Sequence, residues 1–225
     1  MKMNNNIIVA KTFNKFANDY INLSNKYTVS RRYQIAAQYS FGKLLDIGGA
    51  SGLFSAYLKE EITPFVLDIS LNMCKQAKLN HIPKVVCADA ETLPFNNNSF
   101  DSIVSLEMIY YLENPLKFIL EAERILKSDG ILVVSFYNSK LNFLVKIRGL
   151  LRKLKISRMF FDDGDPTFTR LEDFSELLDK TSFEILAIKK IVFIPFKTFN
   201  KINLLLEKTV LKSFALFNIV YLRKK

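Results

Sequence analysis

Three aspartates close three successive apolar runs: Asp46 after Leu44-Leu45, Asp68 after Val66-Leu67, and Asp89 after Val85-Val86-Cys87-Ala88. Gly48, Gly49 and Gly52 follow the first of them at once. A carboxylate accepts hydrogen bonds from hydroxyl and amino groups. A glycine turn lets the main chain approach a ligand closely, and the start of the next helix offers unpaired N–H donors. Each feature also has a structural explanation when taken alone. The glycines can serve a tight strand-to-helix turn, and Asp68 or Asp89 can cap a turn or a helix.

The elements that must position these residues follow from hydrophobic period. Residues 11–39 read as helical, with Phe13, Phe16, Ala17, Tyr20, Ile21, Leu23 and Tyr27 on the apolar face. From Lys43 short strands and helices alternate: strands at 44–47, 64–69, 85–88, 102–106 and 131–136, and helices at 53–61, 71–80 and 115–127. Leu116, Ile119, Leu120, Glu123 and Leu126 are spaced to share one helical face, opened by Pro115 and closed by Asp129-Gly130. Beyond Ser139 we expect a basic amphipathic segment, an acidic loop at 162–166, helices at 171–180 and 199–212, and strands near 184–194 and 215–223. Strand-helix-strand units of this length require a parallel sheet covered on both faces, an α/β doubly wound (Rossmann-like) fold. In such a fold ligands bind beyond the carboxyl ends of the strands.

A dinucleotide loop needs G-x-G-x-x-G, and the chain offers Gly48, Ala50 and Leu53 at those places, which disfavours a nicotinamide cofactor. Starting from the acid, Asp46-x-Gly48-x-Ala50-x-Gly52 resembles the D/E-x-G-x-G-x-G loop of class I S-adenosylmethionine-dependent methyltransferases, with alanine at the middle glycine. Val66-Leu67-Asp68-Ile69-Ser70, Asp89-Ala90-Glu91-x-Leu93-Pro94-Phe95, Ser99 to Ser105 and Arg124 to Gly130 follow in the order of the same family. The resemblance covers about residues 41–138. It is nearest to the type 11 group that includes quinone-biosynthesis and malonyl-carrier-protein methyltransferases.

That resemblance implies a mostly parallel seven-stranded sheet, N-terminal lid helices and a helical insertion after the fifth strand. It divides a single methyltransferase domain, 1–225, into a lid at 1–40, a donor-binding core at 41–138 and an acceptor-side region at 139–225. It implies S-adenosyl-L-methionine as cofactor, with S-adenosyl-L-homocysteine as product, and in-line methyl transfer to an acceptor atom. The residues it assigns to the donor are Asp46, Gly48, Gly49, Gly52, Asp68 (ribose hydroxyls), Ile69, Met73, Asp89 (adenine amino group), Ala90 and Leu106. Phe13-x-x-Phe16-Ala17-x-x-Tyr20 resembles the family's lid, with Tyr20 closing over the donor. Ala50 should crowd the loop near the donor's amino-acid end. Related enzymes carry a histidine after the fourth strand, where this chain has Glu107-Met108-Ile109-Tyr110-Tyr111. Tyr110 and Tyr111 are the catalytic candidates there, although a tyrosine with a pKa near 10 serves more readily as a pocket wall than as a base.

The acceptor is narrowed by absences. The Asn/Asp-Pro-Pro-aromatic segment of base-amino methyltransferases and the Pro-Cys of cytosine-C5 enzymes are both missing, so nucleic acid is not the expected partner. The expected acceptor is a small or lipid-like molecule. The alternatives are a group borne on an acidic carrier protein, or donor binding without catalysis. The apolar runs 191–196 and 204–206 should line the greasy part of the acceptor pocket.

Of the net charge of +10, residues 1–139 contribute almost nothing, with 14 Lys and Arg against 13 Asp and Glu, while residues 140–225 hold 18 against 9. Residues 140–158 contain no acid, and Phe143, Leu144, Ile147, Leu150, Leu151 and Leu154 share one arc of a helical wheel, flanked by Arg148, Arg152 and Lys155 on one side and Lys146 and Lys153 on the other. This pattern suits a lid helix, a membrane-surface contact or an acidic-carrier contact. No signal-peptide core or spanning segment is present, so we expect a cytoplasmic protein, with a peripheral membrane location open to it. Cys74 and Cys87 should be buried free thiols. His81, the sole histidine, should lie on the surface, and no metal cluster is expected.

Overall fold

The computed structural model describes residues 5–18, 26–141 and 171–225. Among the described residues, two α-helices, α1 (Asn5–Phe16) and α2 (Lys26–Ala36), precede the sheet. The chain then runs β1 (Lys43–Ile47), α3 (Leu53–Tyr57), β2 (Thr63–Asp68), α4 (Leu71–Leu79), β3 (Lys84–Cys87), β4 (Phe100–Leu106), α5 (Pro115–Ile125) and β5 (Leu126–Tyr137). Further on come α6 (Leu171–Leu178), β6 (Phe183–Ile191), α7 (Asn200–Leu206) and β7 (Phe217–Lys224). The expected lid residue Tyr20, most of the basic segment 140–158 and the acidic loop lie outside the described residues.

The seven strands form one sheet in the order β3-β2-β1-β4-β5-β7-β6. Strands β1 to β5 are parallel, and β7 runs antiparallel between β5 and β6. Strand order reverses between β1 and β4, which sets a crevice at their carboxyl ends.

Central strands buried on both faces feed two cores with alternate residues. Leu45, Ile47, Ile103, Leu132 and Val134 pack against Phe118, Ile119, Ala122 and Ile125 of α5 and Phe174 of α6. Their neighbours Leu44, Val104, Ile131 and Val133 face the other way, against Ala36 and Phe54.

Several expectations need correction. The buried stripe of α5 is Phe118, Ile119, Ala122 and Ile125, and Leu120 points to solvent. Asn114 caps this helix through Lys117 N, with Pro115 following. The single expected helix at 199–212 is broken. α7 stops at Leu206, and the Thr209 hydroxyl accepts from Leu211 N to begin a separate 3₁₀ turn at Val210–Phe214. Cys74 is buried, but Cys87 is exposed because β3 is the sheet's edge strand. His81, by contrast, is exposed as expected, in a left-handed turn.

Candidate functional site

The β1–α3 loop hangs from β2: Gly48 N and Gly49 N both donate to Leu67 O, at 2.8 and 3.2 Å. Gly48 is left-handed, and a Cβ there would come within 2.6 Å of Met108. A Cβ on Gly49 would stand 2.7 Å from the Asp46 carboxylate. Gly52, also left-handed, caps α3 and abuts Ile82, so its smallness serves packing rather than the cleft.

Ala50 holds φ +48, a conformation that costs a residue with a Cβ about 1–2 kcal/mol. Its methyl group packs with Met73, Ala17 and Phe13. The departure from glycine therefore carries backbone strain and a contact with α1.

The three aspartates do different work. Asp46 is buried and accepts from Ser55 Oγ at 3.1 Å. Burial drives its carboxyl up to about 7; the Ser55 bond opposes that rise and the Asp68 charge adds to it. Asp68 grips both sides of the crevice, Ala50 N on Oδ2 at 2.9 Å and Ser70 N on Oδ1 at 2.8 Å. Burial raises it to about 6, against those N–H groups and that of Ile69. Asp89 accepts from Glu91 N on Oδ1 at 2.8 Å and from Asn6 Nδ2 on Oδ2 at 2.7 Å.

Helix α1 lies across this second half. Asn14 Oδ1 accepts from Ser70 Oγ and Asn72 N at 2.8 and 3.0 Å, and Phe13 meets Tyr111 edge to face at 5.3 Å. An open cleft lies in the other half, lined by Asp46, Gly48, Gly49, Ala50, Leu106, Glu107 and Arg32 among others. Of the sequence-derived set, Asp46, Gly48, Gly49 and Leu106 share that cleft. Met73 is buried under α1, Ala90 belongs to the main core, and Ile69 is half-buried beside Asp68.

Arg32 and Glu107 are the residues that motif reading missed. Glu107 has φ +59 at the end of β4, a strained position held from several sides. Ser135 Oγ donates to Oε1 at 2.7 Å, Tyr110 Oη donates to Oε2 at 3.2 Å, and Arg32 stands 3.7 Å from Oε2. Burial raises the Glu107 carboxyl above its ordinary range, opposed by the Arg32 charge and by the Ser135 and Tyr110 bonds. The Tyr110 phenol is pushed well above 10 by burial and by the Glu107 charge, which suits it to donate to Glu107 rather than to act as a base. The Tyr110 ring also packs at a tilt against Tyr111 and Tyr137, with centroids 4.7 and 5.8 Å away. The sequence signal for this cluster was faint, since a strand-end glutamate and an Arg-Arg pair inside a helix have many uses.

A doubly wound sheet of this order, with an acid at the end of each of its first three strands, defines the class I methyltransferase architecture. Residues 45–134 match the methyltransferase domain family. The chain is 32% identical to uncharacterized protein MJ1252 of Methanocaldococcus jannaschii over 223 residues, 92% of this chain and 85% of that protein. It is 28% identical to human mitochondrial arginine-hydroxylase NDUFAF5 over 166 residues, 72% of this chain but 45% of that longer protein. A solved Thermotoga maritima S-adenosylmethionine-dependent methyltransferase, described as a possible histamine N-methyltransferase (TM1293), superposes with a TM-score of 0.72 at 20% identity. That match covers 96% of this chain and 100% of the other. The chain belongs to the class I S-adenosylmethionine-dependent methyltransferases, type 11 group.

The residues present fit that donor. Gly48 and Gly49 leave no side chain on the cleft wall next to Asp46, Arg32 faces the same space with a fixed positive charge, and Asp89 Oδ2 already receives an amide N–H₂.

Proposed function

We propose that this enzyme methylates a small-molecule or lipid-like acceptor seated at the Glu107–Tyr110 end of the cleft. The observation that carries the proposal is one continuous cleft wall running from the glycine loop to Glu107, with Tyr110 bonded behind the glutamate. In this reading Asp68 takes the ribose hydroxyls and Asp89 the adenine amino group. Arg32 faces the donor's carboxylate, and Asp46 and the Leu106 main chain face its ammonium group. S-adenosylmethionine supplies a methyl group already activated on a sulfonium centre, so the protein's share is alignment and exclusion of water.

Glu107 orients the acceptor and, where the acceptor arrives protonated, takes the proton on Oε2. Its raised pKa brings that oxygen nearer to the range in which a general base is effective. Tyr110, Tyr111 and Tyr137 supply the aromatic wall. Asn6 sits on the Asp89 oxygen that the adenine amino group needs, so α1 serves as a lid that lifts to admit the donor. A small acceptor also accords with the histamine named for the Thermotoga structure.

Purified protein incubated with methyl-labelled donor and cell extract should label a low-mass or solvent-extractable fraction. Label confined to RNA or protein would overturn the small-acceptor assignment. No release of S-adenosylhomocysteine with any extract would leave a donor-binding module.

A further inference from the structure

The connection between β6 and β7 is built inside out. Helix α7 buries a carboxamide: Asn203 is 0% exposed, accepts from Phe193 N and Ile194 N at 2.9 and 3.0 Å, and donates to Tyr27 Oη at 2.8 Å. Its aliphatic residues Ile202, Leu204 and Leu205 face solvent, Leu205 at 65% exposure. Leu204 and Leu205 were expected to line an acceptor pocket, and Ile191 and Val192 to join them. The leucines instead point outward, while Ile191 and Val192 fill the core. The pattern continues on both sides of the helix, with Phe196 before it and Val210 and Phe214 after it exposed at 51%, 88% and 57%.

Hydrophobic burial alone would turn such a helix round. A polar anchor that holds it with aliphatic groups outward marks a surface made for an apolar partner.

Charge narrows the partner. Lys197, Lys201, Lys208 and Lys212 are exposed among these apolar side chains. The single acid of residues 196–214, Glu207, is taken up by Arg31 at 2.8 Å and Val192 N at 3.1 Å. Aliphatic and aromatic groups interleaved with lysines and free of unpaired acids match the boundary between anionic headgroups and acyl chains. The surface also lies at the functional end of the sheet, because β7 begins at Phe217 opposite Tyr137, where β5 ends. Arg31 and Tyr27 tie it to α2, the helix that carries Arg32 to the cleft.

We propose that residues 196–214 form a docking surface for an anionic membrane leaflet. Docking here does not depend on the acceptor being a lipid.

The test uses the full chain and vesicles of phosphatidylcholine, alone or mixed with phosphatidylglycerol. Wild-type protein should sediment with the mixed vesicles only, and less as salt is added. Two variants separate the contributions, Leu205→Ser/Val210→Ser/Phe214→Ser and Lys197→Gln/Lys201→Gln/Lys208→Gln/Lys212→Gln. Each should lower partitioning about tenfold or more while keeping wild-type affinity for S-adenosylhomocysteine. Absence of wild-type binding, or unchanged binding in both variants, would overturn the proposal. So would a concentration-dependent dimer that the apolar variant abolishes without any vesicle binding, since the surface would then join two copies of the chain.

Discussion

The half proposed to hold the donor, β1 to β3, and the half proposed to serve the acceptor, beyond β5, solve opposite problems. The β1–β3 half buries Asp46 and Asp68 and half-buries Asp89, and it holds each with main-chain, hydroxyl or amide donors. The half beyond β5 carries the excess of lysine and leaves leucine, valine and phenylalanine exposed. Buried acids are stabilised only by specific partners, so the first half tolerates little variation in residue type or spacing. An exposed greasy and basic surface recognises bulk properties, and many sequences satisfy it. Glu107 and Arg32 sit where the two halves meet.

The largest effect that separates the halves is expected at Asp68. Asp68→Ala leaves Ala50 N and Ser70 N without a buried acceptor and removes the proposed ribose partner. S-adenosylhomocysteine affinity should fall by about 2–3 kcal/mol, roughly 30- to 150-fold, in a calorimetric titration. An unchanged affinity would mean that the donor is held elsewhere.

Glu107→Gln tests the boundary. If Glu107 serves the acceptor, kcat should drop about tenfold to a hundredfold while product affinity stays within about twofold. An equal loss of affinity would move Glu107 into the donor half.

Asp46 and Asp68, raised from 3.8 to about 7 and about 6, make a pH prediction. A carboxyl raised on folding contributes stability below its unfolded value, and that contribution is lost as pH rises through the folded value. These two groups therefore favour the folded chain most below about pH 4 and progressively less toward pH 7. A donor bearing an ammonium and ribose hydroxyls prefers the ionised forms. Product affinity should consequently rise between about pH 5.5 and 7.5, with protons released on binding. Uptake of protons, or a flat profile, would assign those carboxyls no contact with the donor.

Asn6→Ala should tighten product binding by about 1 kcal/mol, as the amide no longer competes for Asp89. Weaker binding would make α1 a support rather than a lid. The smallest change is expected for Ala50→Gly, where relief of the left-handed strain is partly offset by unfolded-state entropy. A net gain in thermal stability of about 0.5 kcal/mol or less would fit.

The alternation of apolar runs with Gly and Asp made β1 to β5 and their order legible, because strands buried on both faces must be continuously apolar and a parallel crossover needs a helix. Asp46, Asp68 and Asp89 were legible because each closes such a run. Arg32 was not, since its place at the cleft depends on how α2 packs. Glu107 stands beside Tyr110 and Tyr111 in the chain, but its strained backbone and its contacts with Ser135 and Arg32, both far away in the chain, depend on the fold. The inverted α7 was misjudged for a related reason: hydrophobic content tells which residues seek burial, and only the packing of Asn203 shows which side was turned in. Sequence alone thus determined the fold and the acids that edge the crevice, since both follow from local period and residue type. The tertiary structure decided what each acid grips, what covers it and which apolar groups face outward, because those outcomes depend on partners that chain order does not reveal.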